Sequence, residues 1–375
     1  MMKKLNISQV DVLFSNGNYP IEFLLYYKNR LNSNNIRAAL KTLSKTFWPL
    51  FGRYHQGTIQ FDHYVEERHF DESEVDQLFE QDEPAITLYE KYRTAVSVDV
   101  DTLFFLKIIR YRNGTILIPK MNHLAGDGYS YFYFLTALAA LSRVSLIPFK
   151  RYVLRRLYMP HHQRTILKSF QSKVIDVPSP RVPGTLIIEF ERIPRDELRN
   201  TLKEGAVTFE QAVSSNDFLS ARIVKQFIGL RKDYFGETFE LTMPMDVRRQ
   251  IREWGPTFFG NGIMFKRIEF KTADLENLSI YELALRIRAS MPTVSRENFM
   301  VFLESLEHLI ETGHPGQLKP YNPESGSLVT NLTKLPVNRL DFGEGWADFI
   351  FPLTIEKNST AILADEDDYI LRIAY

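Results

Sequence analysis

The sequence predicts a mixed-sheet fold of the α/β (α+β) type, and three observations carry that expectation. Strand-like and helix-like segments are mixed in both halves of the chain without strict βαβ alternation, which argues for mixed layers built twice. The 375 residues are 44% hydrophobic, enough for a large core, and a domain usually takes about 100–200 residues, so two domains are expected. Between the halves, Asp176-Val177-Pro178-Ser179-Pro180-Arg181-Val182-Pro183-Gly184 is dense in proline and has no periodicity, so it reads as a crossover linker. The expected division is residues 1–170, a linker over 171–184, and residues 185–375.

Taken in order, Gln9 to Phe14 alternates like a strand, and Glu22 to Tyr27 is a buried segment of either type. Asn34 or Asn35 is placed to cap a helix with Ile36, Leu40, Leu43 and Phe47 on one face. That helix stops at the turn signal Trp48-Pro49-Leu50-Phe51-Gly52-Arg53. Thr58 to Phe61 and Ala95 to Val100 read as strands. Leu103 to Tyr111 and Thr115 to Lys120 flank Arg112-Asn113-Gly114, a strong hairpin signal. Pro119 has no N–H to give, so the ladder is expected to end there. His123 then stands just past the second strand, at a rigid sheet end, and Tyr129 to Leu141 follows as a buried helix. Lys150 to Gln163 is basic and irregular.

In the second half, Thr185 to Phe190 and Thr238 to Met243 read as strands, with a helix from about Thr208 to Ile228 between them. Ser279-Ile280-Tyr281-Glu282 has capping-box spacing. Phe299, Phe302, Leu306 and Ile310 mark a helix that stops at Gly313-His314-Pro315. Leu328 to Leu332, Phe349 to Leu353 and Tyr369 to Ile373 are short strands.

Composition removes several function classes. Forty-six basic residues balance 46 acidic ones, which argues against a nucleic-acid binder. Cysteine is absent, so disulfides, thiolate metal sites and cysteine nucleophiles are excluded. Met1-Met2-Lys3-Lys4-Leu5-Asn6 is followed by no apolar signal core, and no window approaches 18 uncharged apolar residues. The expectation is a cytoplasmic chain without a transmembrane segment.

Chemistry concentrates in Asn122-His123-Leu124-Ala125-Gly126-Asp127-Gly128. A histidine with an unperturbed pKa of roughly 6.5 can take and return a proton near neutral pH, and the glycines allow a sharp turn. His123 reads equally as a hydrogen-bonded core residue, and Asp127 as a helix cap. A metal site lacks a third ligand nearby, and His161-His162 lies in the basic segment, so no metal is expected. Met245-Asp246-Val247-Arg248-Arg249 with Pro256 to Gly262 reads alone as a surface arginine pair and a glycine turn. Leu340-Asp341-Phe342-Gly343-Glu344-Gly345-Trp346 reads alone as a tight turn.

Together and in this order these segments resemble the BAHD acyltransferases, within the superfamily that includes chloramphenicol acetyltransferase and condensation domains. His123 to Gly128 matches HxxxDG, Phe259-Gly260-Asn261 a glycine-asparagine turn, Asp341-Phe342-Gly343 the start of DFGWG, and Trp48 to Arg53 an early PLAGR-type segment. The resemblance implies two similar domains meeting at a channel centred on His123. Acyl-CoA, a co-substrate with no tightly bound cofactor beside it, would enter from one side and a small alcohol or amine from the other. It implies that His123 is the general base and that Thr330 or Asn331 stabilises the oxyanion. It also makes Asp127 (with Gly128) a structural brace paired with Arg248, and Asp341, Phe342 and Gly343 structural and remote. The implied protein is a monomer. Glu344 stands where the motif has tryptophan, and Asn122 stands where condensation domains carry a second histidine. The rival readings are condensation on a carrier-protein thioester and a catalytically silent fold that binds an acyl ligand or a partner protein.

Overall fold

The structure, a computed structural model, describes residues 2–14, 20–143, 186–205, 212–251, 255, 258–313 and 318–375. The basic segment with His161-His162, the linker and both domain boundaries, Thr185, the start expected at Thr208, Pro256-Thr257 and His314-Pro315 lie outside the described residues. Three sheets organise the rest, and the chain is a mixed α/β fold as expected. No described helix is long and apolar enough to cross a membrane.

The first large sheet has the order β12-β2-β7-β6-β5, from Phe349–Pro352, Pro20–Tyr27, Gly114–Asn122, Phe104–Tyr111 and Phe70–Glu74. Strand β2 is buried along nearly its whole length because both faces of the sheet are covered, which is why its sequence shows no alternation. One face packs on a core with Phe104, Leu106 and Phe134; the other packs on Leu88 and Tyr92 of α3 (Ala85–Tyr92). Strand β12 comes from the second half of the sequence and adds an antiparallel edge to β2. A small sheet, β1-β4-β3 (Lys3–Asn6, Thr58–Phe61, Arg53–His55), lies beside it.

Several expectations change here. Gln9–Val12 is a short helix, α1, and not a strand, because Ser8 and Asp11 form a reciprocal capping box that supplies the first amides with acceptors. The cap of α2 (Ser33–Leu43) is Asn32 rather than Asn34 or Asn35; its side chain accepts from the Asn35 amide at 3.1 Å. Ala95 to Val100 forms no ladder with a described strand; it is held by the buried Val96 and Val98, by the Tyr54 amide on the Val100 carbonyl at 2.6 Å, and by Lys120, whose Nζ donates to the Val96 carbonyl at 2.9 Å. Pro119 does not end the hairpin: β7 runs on to Asn122, and pairing with β2 is only interrupted opposite Phe23 and Leu24. The carbonyl of Pro119 is taken by the Tyr131 hydroxyl at 2.7 Å, so the break leaves no unmet acceptor there.

The second large sheet has the order β10-β9-β11-β13-β14-β8, from Ile263–Lys271, Thr238–Asp246, Gly326–Asn331, Ser359–Ala364, Asp368–Ala374 and Ile188–Pro194. The helix expected from about Thr208 to Ile228 corresponds to Ser215–Phe235, capped by Ser214 and Asp217, and a further helix that was not expected, Arg195–Gly205, precedes it. One face of the sheet, with Leu241, Val329, Ile362 and Leu371, packs on Phe227, Leu283 and Ile287 from the helices. Residues opposite one another across a ladder share a face. Phe265, Thr242, Leu328, Thr330, Ala361, Leu363 and Arg372 therefore share the other face. Leu363 joins the core of the first half, and Phe265 meets Phe14 at 6.2 Å, so this face is turned toward the first sheet.

Two buried titratable groups oppose each other in the first half. His69 Nδ1 donates to the Phe104 carbonyl (2.8 Å), and burial pushes its pKa down to about 4. Glu22, the cross-strand partner of Lys120 (2.9 Å), is pushed up to about 7 by burial, against the pull of Lys120. Between pH 4.5 and 6.5 the folded chain lacks a proton on His69 that the unfolded chain holds, so stability from this group rises with pH. Glu22 keeps a proton that the unfolded chain loses, so its contribution falls with pH. Each slope is about 1.4 kcal/mol per pH unit. Glu22→Gln removes one of them. In a denaturant series the variant is expected to lose stability more steeply than the parent as pH drops from 6.5 to 4.5; equal slopes would contradict this pairing.

Candidate active site

His123 occupies the single 3₁₀ turn between β7 and α4 (Gly128–Arg143). Asn122 starts the turn by accepting the Leu124 amide at 3.0 Å. The His123 ring is stacked on Phe14, with centroids 3.6 Å apart and planes 12° from parallel. It stays half-buried, and the surrounding protein still pushes its pKa down to about 4, against smaller upward effects from Asp127, Asn261 and Asp11. The imidazole is therefore neutral at pH 7.

Its tautomer follows from the hydrogen bonds around it. Asn261 Nδ2 donates to the His123 carbonyl at 2.9 Å and to Asp11 Oδ1 at 2.8 Å. Both partners are acceptors only, so the amide cannot be flipped without setting oxygen against oxygen. Asn261 Oδ1 then faces His123 Nδ1 at 3.1 Å and must accept from it. The proton sits on Nδ1, and Nε2 keeps its lone pair. Asp11 is in turn fixed by the Ser8 amide at 2.7 Å. The sequence reading missed Asp11, although Ser8-x-x-Asp11 carries the spacing of a capping box, and gave Asn261 no task.

Asp127 turns away from His123 into a buried clasp. Arg248 Nη2 donates to Asp127 Oδ1 and Oδ2 at 2.7 and 2.8 Å. The carboxylate also accepts the Ser130 amide, capping the first turn of α4, and the Gly262 amide. Arg248 is 1% exposed and reaches the carbonyls of Phe258, Gly260 and Gly262 as well. Tyr129 covers its guanidinium at 4.5 Å. A Cβ on Gly262 would meet the guanidinium carbon at 2.8 Å, so only glycine admits the arginine there. The isolated reading of Arg248 as a surface arginine is thus replaced by a buried one. Gly128 opens α4, where a Cβ would touch only Leu332 and Leu335 at ordinary contact distance.

Thr330 and Asn331 are separated by the strand itself, since successive residues point to opposite faces. Thr330 lies on the face of β11 turned toward the first half, and the strand continues into Leu332 and Leu335 beside Gly128. Asn331 lies on the other face, exposed, donating to Asn216 Oδ1 at 2.7 Å and accepting from Thr333. The Asp341 loop sits at the far end of α4, where Asp341 Oδ2 accepts from Arg143 at 2.8 Å. Sixteen helical residues span about 24 Å, so this loop is remote from His123. Asp341 Oδ1 accepts the Gly343 and Gly345 amides, Phe342 packs edge-on to Tyr27, and Gly343 has φ 115°, a conformation that favours glycine.

The site places a neutral imidazole with a free Nε2 where two sheets face each other, which suits proton abstraction from a small nucleophile. The comparisons agree with that architecture. A family model described as the Transferase family matches residues 1–369. No match emerges among the curated proteins. Among solved structures, vinorine synthase is similar with a TM-score of 0.75 at 17% identity, covering 100% of this chain and 94% of that one. TRI101 of F. graminearum, crystallised with coenzyme A and deoxynivalenol, is similar with a TM-score of 0.74 at 15% identity, covering 99% and 95%. The first condensation domain of the CDA synthetase follows with a TM-score of 0.61 at 11% identity, covering 99% and 90%. The chain belongs to the Transferase family, and it shares the fold of vinorine synthase and TRI101.

Proposed function

We propose that the protein moves an acyl group from acyl-CoA to the hydroxyl or amine of a small molecule, with His123 as general base. The observation that carries this reading is the Nδ1–H tautomer held by Asn261, which leaves Nε2 as a free base on a neutral ring. Nε2 takes the proton of the acceptor as its oxygen or nitrogen attacks the thioester carbonyl carbon. The carbonyl oxygen becomes an oxyanion, and the Thr330 hydroxyl, on the face turned toward the first half, is the proposed donor to it. Collapse breaks the C–S bond, and the departing CoA thiolate recovers the proton from the imidazolium. Asn331, on the other face, has no part in this scheme. Asp127 and Arg248 hold the turn that carries His123, and the two halves act as the two walls of the channel, joined through the proposed linker at residues 171–184. We place the protein in the cytoplasm as a monomer, with acyl-CoA as its co-substrate. Support for CoA comes from neighbours: TRI101 structures carry coenzyme A together with deoxynivalenol or T-2.

The deciding experiment is a screen of acyl-CoA thioesters against alcohols and amines, read by free thiol release. Turnover of free thioesters without a carrier protein separates this reading from condensation, and absence of turnover across the panel overturns it. Asn261→Ala is expected to lower kcat about 10–100-fold with the KM for acyl-CoA unchanged, the equivalent of roughly 1.5–3 kcal/mol for a hydrogen bond to the charged ring. An equal loss in Asn261→Asp and Asn261→Ala with a raised KM would mean that Asn261 shapes the binding site instead.

A further inference from the structure

We propose that Arg372 binds a carboxylate carried by one of the two substrates. This inference rests on the acyltransfer reading above for the location of the substrates, and on Arg372 itself for the chemistry. Arg372 is 4% exposed, yet its guanidinium makes one hydrogen bond within the described residues, Nη1 to the Thr354 carbonyl at 2.9 Å. Its Nε has no partner among the described residues. A guanidinium has five N–H donors, and a buried donor left unmet costs about 1–3 kcal/mol, more when it is charged. No described carboxylate lies within ion-pair distance; Glu356, Tyr321 and Tyr89 act on it only through space, and burial pushes its pKa down to about 10. The chain has therefore placed a cation in its interior and left its Nε edge unmet. That edge is the one that matches a carboxylate through two parallel N–H···O bonds.

Its position makes the vacancy useful. Arg372 stands in the cross-strand row Thr330, Ala361, Arg372, Phe190, on the face turned toward the first sheet. Two strand spacings separate it from Thr330, about 10 Å. A substrate with its reacting atom at His123 and Thr330 can reach Arg372 if its carboxylate lies roughly a nanometre away. The face holds apolar Leu363 and Ile370 nearby, so a charge arriving there is held in a largely dry environment, where a bidentate pair discriminates strongly. The carboxylate belongs either to the acceptor or to a dicarboxylic acyl group, and the chemistry at Arg372 is the same.

The test uses the full chain and its Arg372→Met and Arg372→Lys variants, first matched by thermal unfolding and circular dichroism. Thermal-shift and calorimetric titrations compare a panel of aliphatic and aromatic hydroxy acids with their methyl esters. A turnover arm compares succinyl-CoA with acetyl-CoA on one neutral alcohol. The expected result is a preference for the acid in one arm, which also identifies the source, reduced about 30-fold or more in Arg372→Met and partly kept in Arg372→Lys, with esters or acetyl-CoA unaffected. No acid preference in the parent protein in either arm overturns the proposal, as does equal weakening of acids and esters in both variants. Should Arg372→Met fail to fold, the Lys variant decides on the same criterion. Acid binding that depends on Arg372 without any thioester turnover would uphold the carboxylate site and reject the acyltransfer reading.

Discussion

His123→Ala is expected to reduce thioester turnover about 10²–10⁴-fold, the range a positioned general base contributes. In barrier terms this is about 2.7–5.5 kcal/mol. The prediction is strong because the ring is prepared in three ways at once. Burial keeps it neutral, Asn261 fixes its tautomer, and Phe14 fixes its plane. The pH dependence follows with its sign. A base with its pKa lowered to about 4 is unprotonated above that value, so kcat/KM should rise through about pH 4 and stay level to pH 8. A rate that instead climbs through pH 6.5 would show that the ring titrates as if solvated. Undiminished turnover in His123→Ala would remove it from the mechanism altogether.

Asp127→Asn is expected to act first on stability, by about 3–5 kcal/mol in a denaturant titration, because it strips the buried counter-charge from a buried arginine and leaves it only the exposed Asp246 at 3.3 Å. Both Asp127 oxygens are engaged, by Arg248 and by the Ser130 and Gly262 amides. An amide in that place turns an NH₂ toward groups that are themselves donors, either the guanidinium or a backbone N–H. Arg248→Met combined with Asp127→Asn should recover part of the loss, since no isolated charge then remains buried. Activity should fall alongside stability, because the same residues carry the turn that holds His123. Unchanged stability with abolished turnover would show that Asp127 takes part in the chemistry directly.

The hairpin, the turn after it and the helix beyond were legible in the sequence because each rests on local signals: Arg112-Asn113-Gly114, the glycines around Asp127, and the apolar run from Tyr129. The errors arose where local and non-local preferences disagree. Gln9 to Phe14 alternates like a strand, yet the reciprocal Ser8 and Asp11 bonds turn its first part into a helix. Ala95 to Val100 has strand composition but joins no described ladder; the Tyr54 amide on Val100 and the buried Lys120 on Val96 hold it instead. Strand β5 and helix α3 were missed because their sequences, Phe70–Glu74 and Ala85–Tyr92, carry mixed patterns that only packing resolves.

By itself the sequence determined the mixed α/β class and the position of His123 at a strand end, since periodicity and turn chemistry act over a few residues. The tertiary structure decided which groups surround that histidine. Asp11, Asn261 and His123 meet from sites up to 250 residues apart. The same packing turned Arg248 inward onto Asp127, put Thr330 and Asn331 on opposite faces of β11, and left Arg372 buried with a free edge. Strand register and sheet-on-sheet packing are settled by the summed burial of the whole chain, and no local spacing encodes that sum.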